Sequence, residues 1–251
     1  MNTTHLRTIM LLGEERFQKL HRSFVAIFGL GGVGSYAAEA IVRAGIGRVR
    51  VVDCDVVRPS DLNRQLYSVL SGLGRPKAEL AGEHLRTVHP DVIIECHQAF
   101  FHKDTENELV TPDLSFVIDA VDSIGPKVQL IECCLQKGIP IISVMGAAGK
   151  TDPAMIRLAK LEETVGCPLA RMVKKKLRHH AVIANIPVVF SLEQTQVAFE
   201  IPEVQMLETE GVHLRGRMRC ALPSISTIPG IFGLTAANYV IWQIAGKIGS
   251  R

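Results

Sequence analysis

The sequence predicts an α/β fold built on a doubly wound, mainly parallel sheet. Three observations predict it. Apolar runs of strand length alternate with segments of helical periodicity. The first run ends in a glycine-rich turn that opens directly into a helix. Acidic residues fall at the ends of two runs, the edge of such sheets at which ligands bind.

The elements follow in chain order. Ser23–Gly29 (SFVAIFG) is a continuous apolar run closed by glycine, the pattern of a strand buried on both faces. Ser35–Ala44 puts Tyr36, Ala37, Ala40, Ile41 and Ala44 on one helical face, and Gly45 and Gly47 stop it. Residues 48–53 (RVRVVD) make a second strand that ends at Asp53. Pro76–Val88 is helical and residues 91–97 (DVIIECH) form a strand. Residues 114–120 (LSFVIDA) form another, followed by a helix over Pro126–Gln136 that Gly138 closes. Residues 139–145 (IPIISVM) are the next strand. Beyond Gly149 the pattern weakens. Residues 154–161 (AMIRLAKL) and 186–193 (IPVVFSLE) read as strands, Val165–His180 as a basic helix and 215–224 (RGRMRCALPS) as a loop.

The 251 residues fit one large α/β domain, or a core with an elaboration. With 47% hydrophobic and 21% charged residues, the chain has an ordinary core composition and is not of the disordered class. A net charge of +3 permits nucleic acid as a partner without requiring it. The N-terminal segment lacks the apolar run of a signal peptide, so the expected location is the cytoplasm. The 6 cysteines include no C-x-x-C pair, which argues against zinc, and most read as small buried hydrophobes. From Cys220 to Gly246 no residue is charged, a length that can span a bilayer. Pro223, Pro229, Gly230 and Gly233 are expected to break its first half, leaving a buried core helix in residues 234–246 and no membrane partner.

Four motifs carry chemistry. Residues 28–34 (FGLGGVG) match G-x-G-x-x-G at Gly29, Gly31 and Gly34, between a strand and a helix; Gly32 lies within the turn. Such a turn offers backbone amides and a helix N-terminus to phosphate oxygens. Asp53 ends the second strand, where an acid bonds ribose hydroxyls or caps a turn; NAD and ATP both supply that ribose. Asp55 can bond backbone of the following loop or orient ligand. Third, Asn63, Arg64 and Lys77 lie just past the same sheet edge. An arginine fork and a lysine point charge suit the developing charge of attack at an α-phosphorus, whereas a dinucleotide pyrophosphate is largely satisfied by the glycine turn. The other reading is a pair of solvated surface cations. Fourth, residues 117–127 (VIDAVDSIGPK) set Asp119 at a strand end and Asp122 three residues on. Asp122 can ligate Mg²⁺ beside substrate phosphates, or it and Ser123 can cap the next helix.

Together, Gly29–Gly34, VVDCDVV, NRQL, GRPKAE and VIDAVDS resemble the adenylating family related to ubiquitin-activating enzymes, which includes ThiF, MoeB and HesA. They occur in the family's order over residues 7 to about 150. The resemblance implies a Rossmann-like ThiF/MoeB-type adenylation fold and a homodimer that binds Mg-ATP and transfers AMP to a carboxylate. It implies Asp53 as the ribose acid, Arg64 and Lys77 as the phosphate cations, Asp122 as the magnesium ligand, and Arg7 acting in trans on the partner's ATP site. Asp61 stands where relatives often carry Asn. On this resemblance, 1–251 is a single adenylation domain. About 1–146 is the ATP-binding half; about 147–251 is an elaboration with substrate-facing segments and a C-terminal core helix.

The missing zinc pairs and the segments LLGEERFQKLHRSFVAIFGLGGVGSYAAEAIVRAGIG and DPAMIRLAKLEET…PLARMVKKKLR are most similar to the tRNA threonylcarbamoyladenosine dehydratase subgroup. That subgroup adenylates the threonyl carboxylate of a modified adenosine in the anticodon loop, and the neighbouring urea then closes a ring. Proximity drives closure, so no enzyme nucleophile is strictly required. Cys220, beside Arg215, Arg217 and Arg219, reads either as a reactive thiolate or as a buried structural thiol. Arg171, Lys174, Lys175, Lys176 and Arg178, with those three arginines, read as contacts to tRNA phosphates or as a solvated face. A cysteine desulfurase or sulfur-acceptor partner is a further expectation. The alternatives are adenylation of the C-terminal glycine of a ubiquitin-like sulfur carrier, a catalytically silent nucleotide-binding module, and an NAD-dependent oxidoreductase. The last leaves Arg64, Lys77 and Asp122 without a shared role.

Overall fold

The computed structural model describes residues 4–182, 185–194 and 222–246. Two short helices, α1 (Leu6–Leu12) and α2 (Glu14–His21), lead into β1 (Phe24–Phe28), α3 (Gly34–Ala44) and β2 (Arg48–Val52). Then come α4 (Lys77–Val88), β3 (Ile93–His97), α5 (Glu106–Leu109), β4 (Phe116–Asp119), α6 (Ile124–Lys137) and β5 (Ile141–Val144). The later region contributes β6 (Ile156–Lys160), α7 (Pro168–His179), β7 (Pro187–Ser191) and α8 (Thr227–Ala245). Every strand and every long helix up to β7 lies where the pattern of apolar residues puts it.

Among the described residues, seven strands form one sheet in the order β3-β2-β1-β4-β5-β7-β6. All neighbours are parallel except β6 and β7. The order reverses between β1 and β4, which opens the crevice that ligands of doubly wound sheets use. The sheet continues past residue 146, because β7 pairs with β5 and carries β6 at its edge. Side chains alternate along the strands. Val25, Ile27, Val49, Val51 and Ile118 face α3, α4 and α8, while Phe24, Ala26, Phe28 and Val117 face α6 and α7. Both faces are buried, hence the continuous apolar runs.

One expectation is overturned. Pro229, Gly230 and Gly233 do not break the C-terminal segment; α8 is a single helix of 19 residues that contains all three. Pro229 sits in the first turn, where a missing N–H costs nothing. The two glycines form the contact with α3: a Cβ on Gly233 would lie 2.2 Å from the Val33 carbonyl oxygen, and one on Gly230 3.2 Å from the Tyr36 ring. They allow the close helix crossing, at the expense of helix propensity. The helix is long and apolar enough to span a membrane, yet half of its most apolar window is buried within the fold.

Two buried polar clusters hold the layers. Lys127 on α6 is fully buried, and its Nζ donates to Asp119 Oδ2 at 2.7 Å, Ser143 Oγ at 3.1 Å and the Val144 carbonyl at 2.9 Å. This ties α6 to β4 and β5. At the other end, His5 heads α1 and stacks on His89, with ring centroids 4.5 Å apart, and leans on Phe17 at 5.3 Å. Phe17 stacks in turn on His21. His5 Nε2, His21 Nδ1 and both ring nitrogens of His89 have no hydrogen-bond partner among the described residues. Burial first, then His89 and His21, push the His5 pKa below 6.5, against a smaller opposing pull from the Arg43 backbone.

Two outcomes follow. Lys127→Ala leaves Asp119 buried and uncompensated, which costs about 3–5 kcal/mol, read as a lowered midpoint in urea denaturation. Because His5 binds its proton less readily in the fold than in the unfolded chain, its dock contributes in full above pH 6.5 and is lost as pH falls below it. Thermal melts between pH 7.5 and 5.5 will therefore show Tm falling on acidification, and His5→Asn will flatten part of that slope.

Candidate nucleotide-binding site

The crevice is built around the turn between β1 and α3. Gly29 has φ +86°, and a Cβ there would lie 2.7 Å from the Ala120 carbonyl oxygen. A Cβ on Gly34 would lie 1.7 Å from the Gly29 carbonyl oxygen. The ends of β1 and β4 and the start of α3 therefore meet at backbone distance, and only hydrogen fits at both positions. Gly31 lines the open side: its closest neighbour would be Gln65 Nε2 at 4.0 Å. The head of α3, with the unspent amides of a helix N-terminus, faces this space.

Asp53, past the end of β2, is tied to the same turn. Its Oδ2 accepts from the Leu30 amide at 2.6 Å and its Oδ1 from the Asp55 amide at 2.8 Å. Burial pushes its carboxyl pKa above the ordinary value, against the pull of Lys77 and the two amides. In this arrangement Asp53 caps the turn, while a carboxylate oxygen holding one amide still has a lone pair for a hydroxyl. Asp53, Cys54 and Asp55 each set one ligand-type atom within 4.8 Å of the others, although a thiol is a poor partner for magnesium.

The third motif closes the site. Val57 donates to the Arg75 carbonyl, Gly74 to that of Val57 and Lys77 to that of Asp55, so the segment after β2 runs antiparallel to the entry of α4. This places Lys77, the first residue of α4, with Nζ 3.7 Å from Asp55 Oδ2 and 3.2 Å from Asp61 Oδ2. Arg64 approaches the other oxygen of Asp61, with Nη2 3.5 Å from Oδ1. Its Cγ lies 3.3 Å from where a Cβ on Gly32 would be, and its Nη1 donates to the Ser60 carbonyl and to Asn63 Oδ1. Asn63 in turn donates through Nδ2 to the Ser224 carbonyl, at the approach to α8. The glycine turn, Asp53, Asp55, Asn63, Arg64 and Lys77 thus share one crevice.

Other positions separate from that group or refine it. Asp122 is exposed three residues past β4, where the Ser123 hydroxyl donates to it at 3.3 Å. Asp119 is spent inside the fold on Lys127, Ser143 and the Val121 amide. Arg7 is exposed on α1, away from its own chain's core. On α7, Ala170, Val173 and Leu177 are buried and the basic residues face out. They are not equivalent: Arg178 pairs with Glu162 at 2.5 Å and Lys174 donates to the Thr164 carbonyl at 2.9 Å. Arg171 and Lys174 line a cavity of about 240 Å³ at the head of α7. Cys133, Cys134 and Cys167 are buried, as expected of small hydrophobic thiols, whereas Cys96 is exposed. Cys220, Arg215, Arg217 and Arg219 lie outside the described residues.

Sequence reasoning noted Asp61 only as a departure from relatives, without a role, and missed Gln65; both are 6% exposed. Asp61 Oδ1 accepts from Gln65 Nε2 at 2.6 Å, and Oδ2 from the Arg58 amide at 3.1 Å. The signal was present as spacing: Asp61, Arg64 and Gln65 stand at i, i+3 and i+4, neighbours on one turn.

Replacing Gly34 by Ala drives a methyl group into the Gly29 carbonyl. The expected outcome is loss of ATP binding of at least about tenfold, measured by calorimetry, while Gly31→Ala, facing open space, folds with an unchanged Tm.

A model described as the ThiF family matches residues 5–250. The tRNA threonylcarbamoyladenosine dehydratase of Bacillus subtilis is 34% identical over 242 residues, covering 96% of this chain and 94% of that protein. The protein of the same name from Escherichia coli is 30% identical over 249 residues, covering 96% of this chain and 92% of that one. The crystal structure of the Escherichia coli enzyme, TcdA, in complex with ATP matches with a TM-score of 0.82 at 28% identity, over 95% of this chain and 92% of that chain.

Proposed function

The chain belongs to the ThiF family, and from that premise we propose that it is an ATP-dependent tRNA threonylcarbamoyladenosine dehydratase. The observation that carries this reading is the extent of the likeness to the two bacterial dehydratases. It covers 96% of the chain, well beyond the nucleotide half. The crevice supplies the matching chemistry.

ATP lies with its phosphates on the glycine turn and the head of α3, and its ribose beside Asp53. Arg64 and Lys77 face the α-phosphorus from two sides and stabilise the charge that develops there. The threonyl carboxylate of the modified adenosine attacks that phosphorus and pyrophosphate leaves. The neighbouring urea group then attacks the acyl carbon, AMP leaves with the carboxylate oxygen, and a ring closes. The net change is loss of one water from the nucleoside, with ATP converted to AMP and pyrophosphate. Ring closure is intramolecular, so positioning does most of the work; Cys220 is the thiol available if a covalent step intervenes.

Magnesium is read as the metal. Asp122 is an exposed carboxylate two residues beyond Ala120, whose carbonyl abuts Gly29, and Mg²⁺ commonly takes one or two carboxylates beside substrate phosphates. Asp122 would hold the ion, which neutralises phosphate charge.

The chain acts as one adenylation domain in a cytoplasmic homodimer. Arg7 reaches the partner's site from α1, a short helix that also exposes Leu6, Met10 and Leu11 at 48%, 77% and 64%. Such apolar exposure on seven residues supports a second copy packed against it. The anticodon stem meets α7 through Arg171, Lys175 and Lys176, with Lys174 and Arg178 at the edges of the patch and Arg215, Arg217 and Arg219 adding charge. A cysteine desulfurase or sulfur-acceptor partner belongs to the same reading, although the dehydration itself does not require one.

The test is incubation with ATP, Mg²⁺ and tRNA carrying threonylcarbamoyladenosine, followed by nucleoside mass spectrometry. The expected product is the nucleoside less one water, lost in Lys77→Ala and Arg64→Ala by about 10²-fold or more in rate. ATP–pyrophosphate exchange stimulated by a small carrier protein, and not by the modified tRNA, would replace this substrate with a ubiquitin-like one.

A further inference from the structure

We infer that Asp61 is a positioning residue for the adenylation step: one buried carboxylate that holds Lys77 and Arg64 in place and withholds them from the resting triphosphate. This rests on the reading of those two residues as the phosphate cations.

The geometry is that of a clamp. Asp61 is 6% exposed. Its Oδ1 takes Gln65 Nε2 at 2.6 Å and faces Arg64 Nη2 at 3.5 Å. Its Oδ2 takes the Arg58 amide at 3.1 Å and faces Lys77 Nζ at 3.2 Å. Each oxygen therefore accepts one hydrogen bond and faces one cation, so the carboxylate is engaged by the chain's own groups. The main chain repeats the connection, since the Arg64 and Gln65 amides both donate to the Asp61 carbonyl, at 3.2 and 3.0 Å. A single residue thus joins the loop that carries Arg64 to the helix that carries Lys77.

Lys77 needs such a partner. It is 7% exposed and is the first residue of α4, so its ammonium sits at the positive end of a helix dipole as well as out of water. Of the two carboxylates within ion-pair distance of it, Asp61 is the nearer. The same negative charge opposes an incoming triphosphate. In the resting complex the cations are shared between Asp61 and the phosphates; as charge develops at the α-phosphorus, the balance moves toward the nucleotide. An interaction that strengthens only in the transition state raises kcat, whereas one made equally in the ground state does not.

Asp61→Asn keeps the side-chain shape and removes the charge. Calorimetry with ATP and with AMP, thermal melts, and steady-state rates on the modified tRNA test the inference. The expected result is ATP binding tightened by about three- to tenfold relative to AMP, with kcat lowered by about 10- to 100-fold. Asp61→Glu, which keeps the charge, should recover part of kcat. The inference is overturned if Asp61→Asn keeps kcat within twofold while Lys77→Ala loses it; the phosphate-cation reading then stands without Asp61. It is equally overturned if ATP affinity, AMP affinity and Tm all fall together, the mark of a purely structural residue. If Lys77→Ala and Arg64→Ala both keep full activity, the reading of those cations fails, and the inference with it.

Discussion

The fold turns on a contact between two backbone segments in which no side chain can stand. Gly29 leaves β1 with φ +86°, and Gly34 opens α3 so close to it that even a methyl group would overlap the carbonyl. Ala120, just past β4, presses on the same point. Because three chain segments converge there, the head of α3 opens onto the crevice where the strand order reverses. The Leu30 amide is fixed by Asp53, and Gly32 is close enough to receive Arg64. Move either glycine outward and the groups that surround the crevice lose their common origin.

Several charged groups near that point and along the sheet are held in pairs by the fold. Asp119 sits at the end of β4, on the crevice side by sequence, yet its carboxylate is consumed by Lys127 and Ser143. Its effect is indirect, since it anchors the strand end from which Asp122 emerges. Asp61 does the corresponding task on the other wall, with Lys77 and Arg64. On β2, Arg50 is buried and donates to Glu95 and to the Leu109 carbonyl. A buried cation is tolerated only with its hydrogen bonds met, and removing one partner is costlier than the pair is stabilising. The Asp119 and Asp61 pairs flank the crevice, whereas Arg50 braces β2 against β3 and the end of α5.

Much of this was legible in the chain. The apolar runs at 23–29 and 114–120 and the glycine turn after the first run locate the sheet and its ligand edge, because burial on both faces and backbone contact are local requirements written into residue type. Asp53, Asn63, Arg64 and Lys77 could be gathered by motif for the same reason. What failed was reasoning from one residue's propensity against its eventual neighbour. Pro229, Gly230 and Gly233 look like helix breakers, but the helix they belong to needs small residues where it crosses α3, and packing outweighs propensity there. In the sequence Asp61 is only a loop position where relatives often carry Asn; the approach of α4 makes it a buried anchor.

Sequence alone determined the class of fold, the position of the glycine turn and the residue types available around it. Those follow from periodicity and from glycines that no other residue can replace. The tertiary structure decided which charges are spent and which face the crevice. Asp119 and Asp122 are three residues apart and chemically identical, yet one is buried against Lys127 and the other is exposed. Likewise Arg178 is paired on α7 while Arg171 lines a cavity. An ionised side chain is defined by its partners and by its access to water, and both are set by segments distant in the sequence.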